Sequence, residues 1–309
     1  MVLAAGRGER MRPLSDVLPK PALPLIRRPV IASGIALATA AGSDRVVVNT
    51  WHLAEAMERA LPVIDPPIQI AVSRETELMG TAGGISLARD RGLLGDSGPV
   101  LIINGDGLLH LDLDPLFDRM RISGDLISLA LLPHPDPLRW SRIILDHGGL
   151  VASIKGSGPP DPREVPLLYP GVMLVSREAL DRLPTGPGGT PECLWGPAMT
   201  EDRLGGVLVP GHWREIGTPA DYLGAVRARI NGEVVVHPTA EVHPSARVRS
   251  AVIGRGSRVD AGAVIRDSVI AEGAMVRSGA HVLRSVLLGQ TTVDIGDRVV
   301  DEFRSTPSD

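Results

Sequence analysis

The sequence predicts an α/β domain with a mostly parallel sheet, followed by a short coil of parallel β-strands. Strand-like and helix-like segments alternate over residues 1–228, and aliphatic residues recur every 17 residues over 232–303. The 309 residues are enough for two domains of ordinary size. The composition fits both predicted architectures, because the chain has 35 Gly but only four Trp, two Tyr and two Phe. Both predicted architectures need small residues.

The first domain is predicted from alternating apolar strands and segments of helical periodicity. Such alternation is typical of a mostly parallel sheet covered by helices on both faces. Ligands of these sheets bind beyond the carboxyl ends of the strands, so a site is expected in the loops after Ala5, Val72 and Ile103. The predicted strands are residues 2–5, 45–49, 68–72, 100–103, 126–132 and 172–175, and the predicted helices include residues 31–41, 53–61 and 82–91.

The C-terminal repeat advances in steps of 6, 6 and 5 residues. Neither a helix nor simple strand alternation produces this spacing. A coil with three flat faces does, with one aliphatic side chain per face pointing inward and small residues at the corners. The pattern resembles the hexapeptide repeats of left-handed parallel β-helices and fits four coils. The predicted inward residues are Val236, Val242, Val248, Ile253, Val259, Ile265, Ile270, Val276, Val282, Leu287, Val293 and Val299, and the corner residues include Gly254, Ala261, Gly262, Gly273 and Gly279.

Composition narrows the class of protein. The chain is 43% hydrophobic and 22% charged with a net charge of −4, which is typical of a folded globular protein and gives no reason to expect a nucleic-acid partner. No apolar run approaches the ~18 residues that span a bilayer, and the first residues lack the pattern of a signal peptide. Cys193 is the single cysteine, which excludes an intrachain disulfide. A cytoplasmic protein without a membrane partner is predicted.

The loop after the first strand is suited to an anion. Gly6 and Gly8 follow the strand directly, so backbone N–H groups can turn toward a phosphate. Arg10 and Lys20 add side-chain cations. The order of residues is neither a dinucleotide fingerprint nor a P-loop, because the third glycine and the Gly-Lys-Ser/Thr are absent.

Four segments together resemble the sugar-1-phosphate nucleotidyltransferases. Residues 3–21 contain a Gly-x-Gly-x-Arg loop, Pro-Leu-Ser and Pro-Lys-Pro, and residues 80–83 read Gly-Thr-Ala-Gly. Asn104-Gly105-Asp106 is similar to the family's metal-binding Gly-Asp, and residues 212–219 are similar to its Trp-x-Asp-x-Gly-Thr segment. The resemblance implies a Rossmann-like nucleotidyltransferase domain over residues 1–228 and a left-handed β-helix over 232–303, which several family members also carry.

The resemblance also implies a role for each matching residue. The reaction joins a nucleoside triphosphate (NTP) and a sugar 1-phosphate, the expected partners, into a nucleoside-diphosphate sugar and pyrophosphate. Arg10 and Lys20 take the catalytic roles at the phosphates, and Asp106 and Glu215 take the metal-binding roles toward Mg²⁺. Gly171 is expected to line the sugar pocket. The nucleotide-binding residues are expected to be Leu3, Ala4, Ala5, Gly6, Gly8, Glu75, Gly80 and Thr81.

Departures from the family pattern leave the substrates open. Glu215 stands where the family has a second metal-binding Asp, and the sugar-binding Glu-Lys-Pro is replaced around Lys155. The Gly-Thr-Ala-Gly-Gly form is similar to guanylyltransferases and to muramate-recycling uridylyltransferases, whereas the β-helix favours the former. GTP with mannose 1-phosphate is the predicted pair, with a UTP- or other NTP-dependent enzyme as the alternative.

Two other functions remain as hypotheses. A catalytically weak nucleotide-sugar-binding regulatory homologue is suggested by Glu215 and the missing Glu-Lys. An acyltransferase in the β-helix would need a catalytic base, and His237 and His243 sit in His-Pro corners. Four uninterrupted coils favour a structural role for the β-helix, or homo-oligomerisation through it.

Overall fold

The computed structural model describes residues 1–63 and 68–306. The chain divides into two compact units, Met1–Gly6 with Ile31–Arg214, and Arg7–Val30 with Glu215–Asp309. We call them the sheet unit and the coil unit. This division differs from the boundary near residue 230 predicted from the sequence, because the contacts group residues 7–30 with the C-terminal coils.

The sheet unit contains a mixed sheet of ten strands in the order β10-β9-β11-β8-β12-β6-β1-β4-β5, with β13 paired to β8. A short strand β14 pairs with β7, and β2 pairs with β3 in the coil unit. The strands are β1 Val2–Leu3, β2 Pro24–Leu25, β3 Arg28–Pro29, β4 Arg45–Thr50, β5 Gln69–Arg74, β6 Val100–Asn104, β7 Gly107–Leu111, β8 Ile127–Pro133, β9 Arg142–Leu145, β10 Val151–Lys155, β11 Leu167–Leu168, β12 Val172–Val175, β13 Leu204–Leu208 and β14 Gly211–Glu215.

All six strands predicted from the sequence are present, and their ends lie within two residues of the predicted ends. Strands β6, β1, β4 and β5 are neighbours and run parallel, with Leu3 beside both Asn49 and Asn104. Strand β12 runs antiparallel to β6 and β8, and β9, β10 and β11 are also antiparallel to their neighbours. The predicted loops therefore follow adjacent parallel strands and meet at one edge of the sheet.

Seven α-helices are assigned over the described residues: α1 Ala32–Ala40, α2 Ala54–Ala60, α3 Gly80–Asp90, α4 Asp114–Ser123, α5 Arg177–Asp181, α6 Gly196–Thr200 and α7 Pro219–Ile230. The three predicted helices correspond to α1, α2 and α3. Aliphatic side chains form the core of the sheet unit, including Ile85 of α3, Ile102 of β6 and Leu129 of β8, each at most 1% exposed. Burial of such side chains contributes about 1.5–3 kcal/mol each.

The coil unit contains a parallel β-helix built from three sheets. Their orders are β15-β18-β21-β24-β27, β16-β19-β22-β25 and β17-β20-β23-β26. Every pairing is parallel with a 17-residue offset, as in Val242 beside Val259 and Val259 beside Val276. The strands are β15 Val234–Val236, β16 Glu241–Val242, β17 Arg247–Arg249, β18 Ala251–Ile253, β19 Arg258–Val259, β20 Val264–Arg266, β21 Val269–Ile270, β22 Met275–Val276, β23 His281–Leu283, β24 Val286–Gly289, β25 Thr292–Val293, β26 Arg298–Val300 and β27 Phe303–Thr306.

The predicted inward residues form the core of the β-helix, with one exception. From Ile253 to Val299 the nine predicted positions are at most 1% exposed, and Val242 and Val248 pack against them half-buried. Val236 pairs in parallel register with the buried Ile253, as the repeat predicts, but it is 43% exposed. It lies in β15, the first strand of its sheet, so no preceding coil covers it.

The corners of the coils differ from the expectation of small residues throughout. Gly262, Gly273 and Gly279 take positive φ as predicted. One corner of each coil, within the five-residue step of the repeat, also has a residue with positive φ. The φ values lie between 47° and 57°, and none of these residues is glycine. These residues are spaced 17 apart: Ser250, Asp267, Arg284 and Asp301. The Arg284 guanidinium donates to both oxygens of Asp301 at 2.6 Å, so charge pairing links successive corners.

Residues 7–30 pack within the coil unit through two long-range hydrogen bonds. The hydroxyl of Tyr222 in α7 donates to the Pro24 carbonyl at 2.7 Å, and Ser305 in β27 donates to the Pro13 carbonyl at 2.7 Å. The segment of residues 7–30 therefore contacts the last coil of the β-helix, which lies almost 300 residues later in the sequence.

Candidate functional site

The sheet unit carries predicted nucleotide-binding and metal-binding residues where four parallel strands end. Leu3 ends β1 and Asn104 ends β6, and the Gly105 N–H donates to the Leu3 carbonyl at 2.9 Å. A Cβ on Gly105 would lie 2.7 Å from that carbonyl oxygen, which explains the glycine. The predicted nucleotide residues Leu3 to Gly6 and the predicted metal ligand Asp106 therefore follow neighbouring strands.

Glu75 lies directly after β5, and its carboxylate is held inside the protein. It is 4% exposed, and its Oε1 accepts a hydrogen bond from Asn49 Nδ2 at 2.7 Å. Its Oε2 accepts from the Met79 N–H at 3.2 Å. Burial raises the pKa of Glu75 above 4.5, against the opposing effects of Asn49, the Met79 N–H and the charge of Arg91.

Asn49 is a residue that the sequence analysis did not single out. Its side chain is 3% exposed and its Oδ1 accepts from the Ala4 N–H at 2.8 Å. It therefore contacts the predicted nucleotide loop and Glu75 at the same time. The sequence held no motif to reveal it, because Asn49 lies within a run of strand residues and its two partners are 45 and 26 residues away.

The glycines around α3 are required by packing inside the protein. Gly80 has φ +70, and a Cβ there would lie 2.6 Å from the Gly188 carbonyl oxygen. The Gly83 N–H donates to that same carbonyl at 3.2 Å. A Cβ on Gly84 would lie 2.7 Å from Glu75 Oε1. Gly80 itself is exposed and Thr81 is half-buried in the first turn, so this turn keeps an open surface for a ligand.

Gly171, predicted to line the sugar pocket, precedes β12 and contacts the end of β6. Its carbonyl accepts from the Asn104 N–H at 2.8 Å, and its φ is +86. A Cβ there would lie 2.6 Å from Asn104 Nδ2, so a larger residue would displace that side chain. Gly171 therefore lies opposite Asn104, the residue that precedes Gly105 and Asp106 in the sequence.

Two tryptophans lie beside the strand that follows Asp106. The Trp213 ring packs edge-on against Trp140 with a centroid distance of 5.4 Å, and a Cβ on Gly107 would lie 2.9 Å from Trp213 Nε1. In the sequence, Trp213 belongs to a segment that resembles the family, whereas Trp140 stands in no motif. The two lie 73 positions apart, so their contact could not be inferred from spacing.

The coil unit carries the predicted catalytic residues Arg10 and Lys20 and the predicted metal ligand Glu215. Gly8 has φ +63, and its carbonyl accepts from the Met11 N–H at 2.8 Å and from the buried Ser15 hydroxyl at 2.9 Å. These bonds fix the turn that carries Arg10. Lys20 starts a short 3₁₀ turn between Pro19 and Pro21 and is 8% exposed. A lysine buried this far is rare without a specific partner or ligand.

Arg10 and Glu215 contact each other. Arg10 Nη2 donates to Glu215 Oε1 at 3.1 Å, while the Arg10 side chain is 69% exposed and that of Glu215 is 17% exposed. The structure thus joins a predicted catalytic cation to a predicted metal ligand. An ion pair this open contributes at most about 1 kcal/mol to stability. Arg10 therefore remains available to an anion at small cost.

The carboxylates present suit Mg²⁺. This ion prefers oxygen ligands and is commonly held by one or two carboxylates together with substrate phosphates. Asp106 is half-buried in the turn after β6, and Glu215 ends β14. Across residues 1–63 and 68–306, no group of three or more His, Cys, Asp or Glu could hold a metal ion.

Comparison with known proteins decides the family. Residues 1–156, half of the chain, match the family model described as Nucleotidyl transferase. The chain belongs to the nucleotidyl transferase family. The matched region includes Arg10, Lys20, Glu75 and Asp106, and the fold and family predicted from the sequence are confirmed.

Curated relatives of this nucleotidyl transferase are similar at low identity. The mannose-1-phosphate guanylyltransferase of Mycobacterium tuberculosis is 28% identical over 282 residues, covering 85% of this chain and 76% of that protein. Mannose-1-phosphate guanylyltransferase 1 of Arabidopsis thaliana is 26% identical over 74% of this chain, and the match spans 63% of its own length. The UTP–glucose-1-phosphate uridylyltransferase of Synechocystis is 26% identical over 79% of this chain and 67% of that protein.

Solved structures share the fold of this nucleotidyl transferase. A crystal structure of HddC from Yersinia pseudotuberculosis has a TM-score of 0.61 at 20% identity, covering 74% of this chain and 97% of that one. HddC in complex with GMP-PN has a TM-score of 0.60 at 19% identity. Over the described part of the chain, no helix is both long and apolar enough to cross a membrane.

Proposed function

We propose that this chain transfers a nucleoside monophosphate from an NTP to a sugar 1-phosphate, releasing pyrophosphate, with GTP and mannose 1-phosphate as the pair. The observation that carries the proposal is the family match over residues 1–156, which contains the Gly8–Arg10 turn, Lys20 and Asp106. The guanylyltransferases among the relatives support the choice of GTP. Identities of 26% and 28% leave the substrate to experiment.

The reaction asks the protein for positioning and charge neutralisation. A phosphate oxygen of the sugar 1-phosphate attacks the α-phosphorus, and the bond from that phosphorus to the bridging oxygen of pyrophosphate breaks. Arg10, exposed on its turn, neutralises charge on the leaving pyrophosphate. Lys20 contacts the phosphates at the reacting centre. No covalent intermediate on the protein is needed.

Other residues bind the substrates. The backbone of Ala4 to Gly6 and the turn at Gly80 and Thr81 bind the nucleotide, and Gly171 lines the sugar pocket. Asp106 and Glu215 would hold Mg²⁺, which neutralises phosphate charge when bound. Glu215 Oε1 also lies 3.1 Å from Arg10 Nη2.

The test is a substrate screen. Pyrophosphate release is measured with each of four NTPs against a set of sugar 1-phosphates in Mg²⁺, with Asp106→Asn as the inactive control. We expect GTP with mannose 1-phosphate to give the highest kcat/KM, and turnover only with UTP would replace that pair by the uridylyltransferase alternative, which the Synechocystis relative favours. No turnover with any pair would refute the proposed activity.

A regulatory homologue is the second candidate, because the Arg10–Glu215 contact occupies a predicted metal ligand. It predicts binding of a nucleotide sugar without turnover, and activity restored by Glu215→Asp. An acyltransferase is disfavoured, because His237 Nδ1 and His243 Nδ1 each accept a backbone N–H in their own corner turns at 3.2 Å. Homo-oligomerisation through the β-helix and a cytoplasmic location stay predictions, and light scattering tests the first.

A further inference from the structure

A chain of hydrogen bonds crosses the carboxyl edge of the sheet unit. It starts at the Ala4 N–H, which donates to Asn49 Oδ1 at 2.8 Å. Asn49 Nδ2 donates to Glu75 Oε1 at 2.7 Å, and Glu75 Oε2 accepts from the Met79 N–H at 3.2 Å. Two side chains thus connect two backbone N–H groups that lie 75 residues apart in the sequence.

This series of hydrogen bonds is buried, and the donor and acceptor of each bond are determined. Asn49 and Glu75 are 3% and 4% exposed, so water cannot replace a lost partner freely. The Ala4 N–H can only donate and the ionised carboxylate can only accept, which assigns Oδ1 to Ala4 and Nδ2 to Glu75. The hydrogen bond between Asn49 and Glu75 requires a glycine at position 84. A Cβ at that position would lie 2.7 Å from Glu75 Oε1 and 2.9 Å from Asn49 Nδ2.

The two ends of this chain belong to the two segments that the proposed function assigns to the nucleotide. Ala4 opens the loop after β1, and Met79 is the residue before Gly80 and Thr81 at the start of α3. Strand β4, which carries Asn49, lies between β1 and β5, so a side chain at its end can reach toward the segments that follow both strands. Neither Asn49 nor Glu75 Oε1 is needed by the secondary structure of these strands.

We propose that Asn49, anchored by Glu75, is a positioning residue that sets the distance between the loop after β1 and the first turn of α3, and thereby the affinity for the nucleotide. This inference rests on the proposed function. Glu75 then acts through the Met79 N–H and Asn49, whereas the family resemblance implies that it binds the nucleotide itself. The charged group that acts on Glu75 from a neighbouring element is Arg91 at the end of α3.

The decisive variant is Asn49→Asp. Its Oδ1 still accepts from the Ala4 N–H, but the second oxygen meets the Glu75 carboxylate where an N–H stood before. At pH 8 we expect the KM for the NTP to rise about tenfold or more while kcat changes less than about threefold, because a buried like-charge contact separates the two segments. As the pH falls to 6 the two carboxylates share a proton, and the KM returns toward the wild-type value.

The control is Ser128→Ala in β8. Ser128 is fully buried and its hydroxyl donates to Asp125 at 2.8 Å, so its loss removes one buried hydrogen bond away from both nucleotide segments. We expect a lower Tm with unchanged KM at every pH. If Asn49→Asp does not fold, Glu75→Gln keeps the size of the side chain and places an N–H against one of its two donors, and a KM increase of about threefold is expected.

The outcomes separate the inference from the proposed function. If the wild type binds Mg-NTPs in equilibrium dialysis but turns over no pair, the proposed activity fails, and the dissociation constant replaces KM in the same comparison. A KM or dissociation constant for Asn49→Asp that equals the wild-type value at pH 8, with Tm lowered as in Ser128→Ala, overturns the inference. A wild type that binds no NTP overturns both.

Discussion

Replacing Arg10 by alanine distinguishes a catalytic arginine from a solvated basic side chain. Arg10 and Arg12 are two residues apart, 69% and 66% exposed, and each forms one ion pair, with Glu215 at 3.1 Å and with Asp16 at 3.2 Å. Both are exposed arginines of one short segment, although the Glu215 side chain is 17% exposed and that of Asp16 is 51% exposed. Only the proposed function gives Arg10 a phosphate to bind, so the two substitutions form a matched pair.

The structure sets the size of the stability effect. Exposed pairs of this kind contribute about 0–1 kcal/mol, which shifts Tm by no more than ~2–4 °C in a domain of this size. A cation that neutralises charge developing in the transition state is worth far more, about 10²–10³ in kcat. We therefore expect Arg10→Ala to lose this factor in kcat/KM with almost unchanged Tm, and Arg12→Ala to stay within about threefold of the wild type.

The assay is continuous pyrophosphate release with the best substrate pair, alongside thermal unfolding by circular dichroism. Arg10→Lys adds a test of geometry, because a lysine supplies the charge without the planar fork of donors. Equal activities of Arg10→Ala and Arg12→Ala would refute the catalytic role of Arg10. A fall in Tm by more than ~10 °C for Arg10→Ala would show instead that the turn itself had been disrupted.

Three further predictions concern the metal, the β-helix and Glu75. Glu215→Ala should raise the Mg²⁺ concentration for half-maximal turnover roughly tenfold, whereas Glu215→Asp should stay near the wild type. The same half-maximal Mg²⁺ concentration for Glu215→Ala and the wild type would contradict this. Ile265→Ala should cost about 2–5 kcal/mol in urea unfolding, because Ile265 is fully buried, whereas Ile295→Ala, at a position 76% exposed, should cost less than about 0.5; equal losses would refute the inward assignment. Because the pKa of Glu75 is raised in the folded protein, the folded state binds more protons, and this group's contribution to stability falls as pH rises above about 4.5. Tm measured from pH 4.5 to 8 should therefore decline less in Glu75→Gln than in the wild type, and identical slopes would count against a raised pKa.

The β-helix was predictable in detail because each coil repeats the same contacts. One aliphatic side chain per face must point inward, and this requirement is local, so the 17-residue period appears directly in the sequence. Val236 keeps the predicted register with Ile253 but is exposed, because it lies in the first strand of its sheet. The end of the stack is a tertiary property that periodicity does not contain. The same limit applies to the corner residues Ser250, Asp267, Arg284 and Asp301, whose positive φ is set by the path of the chain and not by their own preference.

The candidate site divides in the same way. Sequence motifs predicted Gly8, Arg10, Lys20 and Asp106 as site residues, because phosphate and metal chemistry requires particular residue types at short spacing. They gave no sign of Asn49, whose proposed role depends on β4 lying between β1 and β5. They also gave no sign that the Arg10 and Glu215 side chains meet across 205 residues.

The sequence by itself determined the two architectures and the strands after which the predicted site residues lie, since both depend on local pattern. Only the tertiary structure decided that residues 7–30 pack with the last coil through Ser305, and that Glu75 is enclosed between Asn49 and Met79. Such contacts depend on strand order and on the burial of polar groups that then need partners, and neither is encoded in the spacing of residues along the chain.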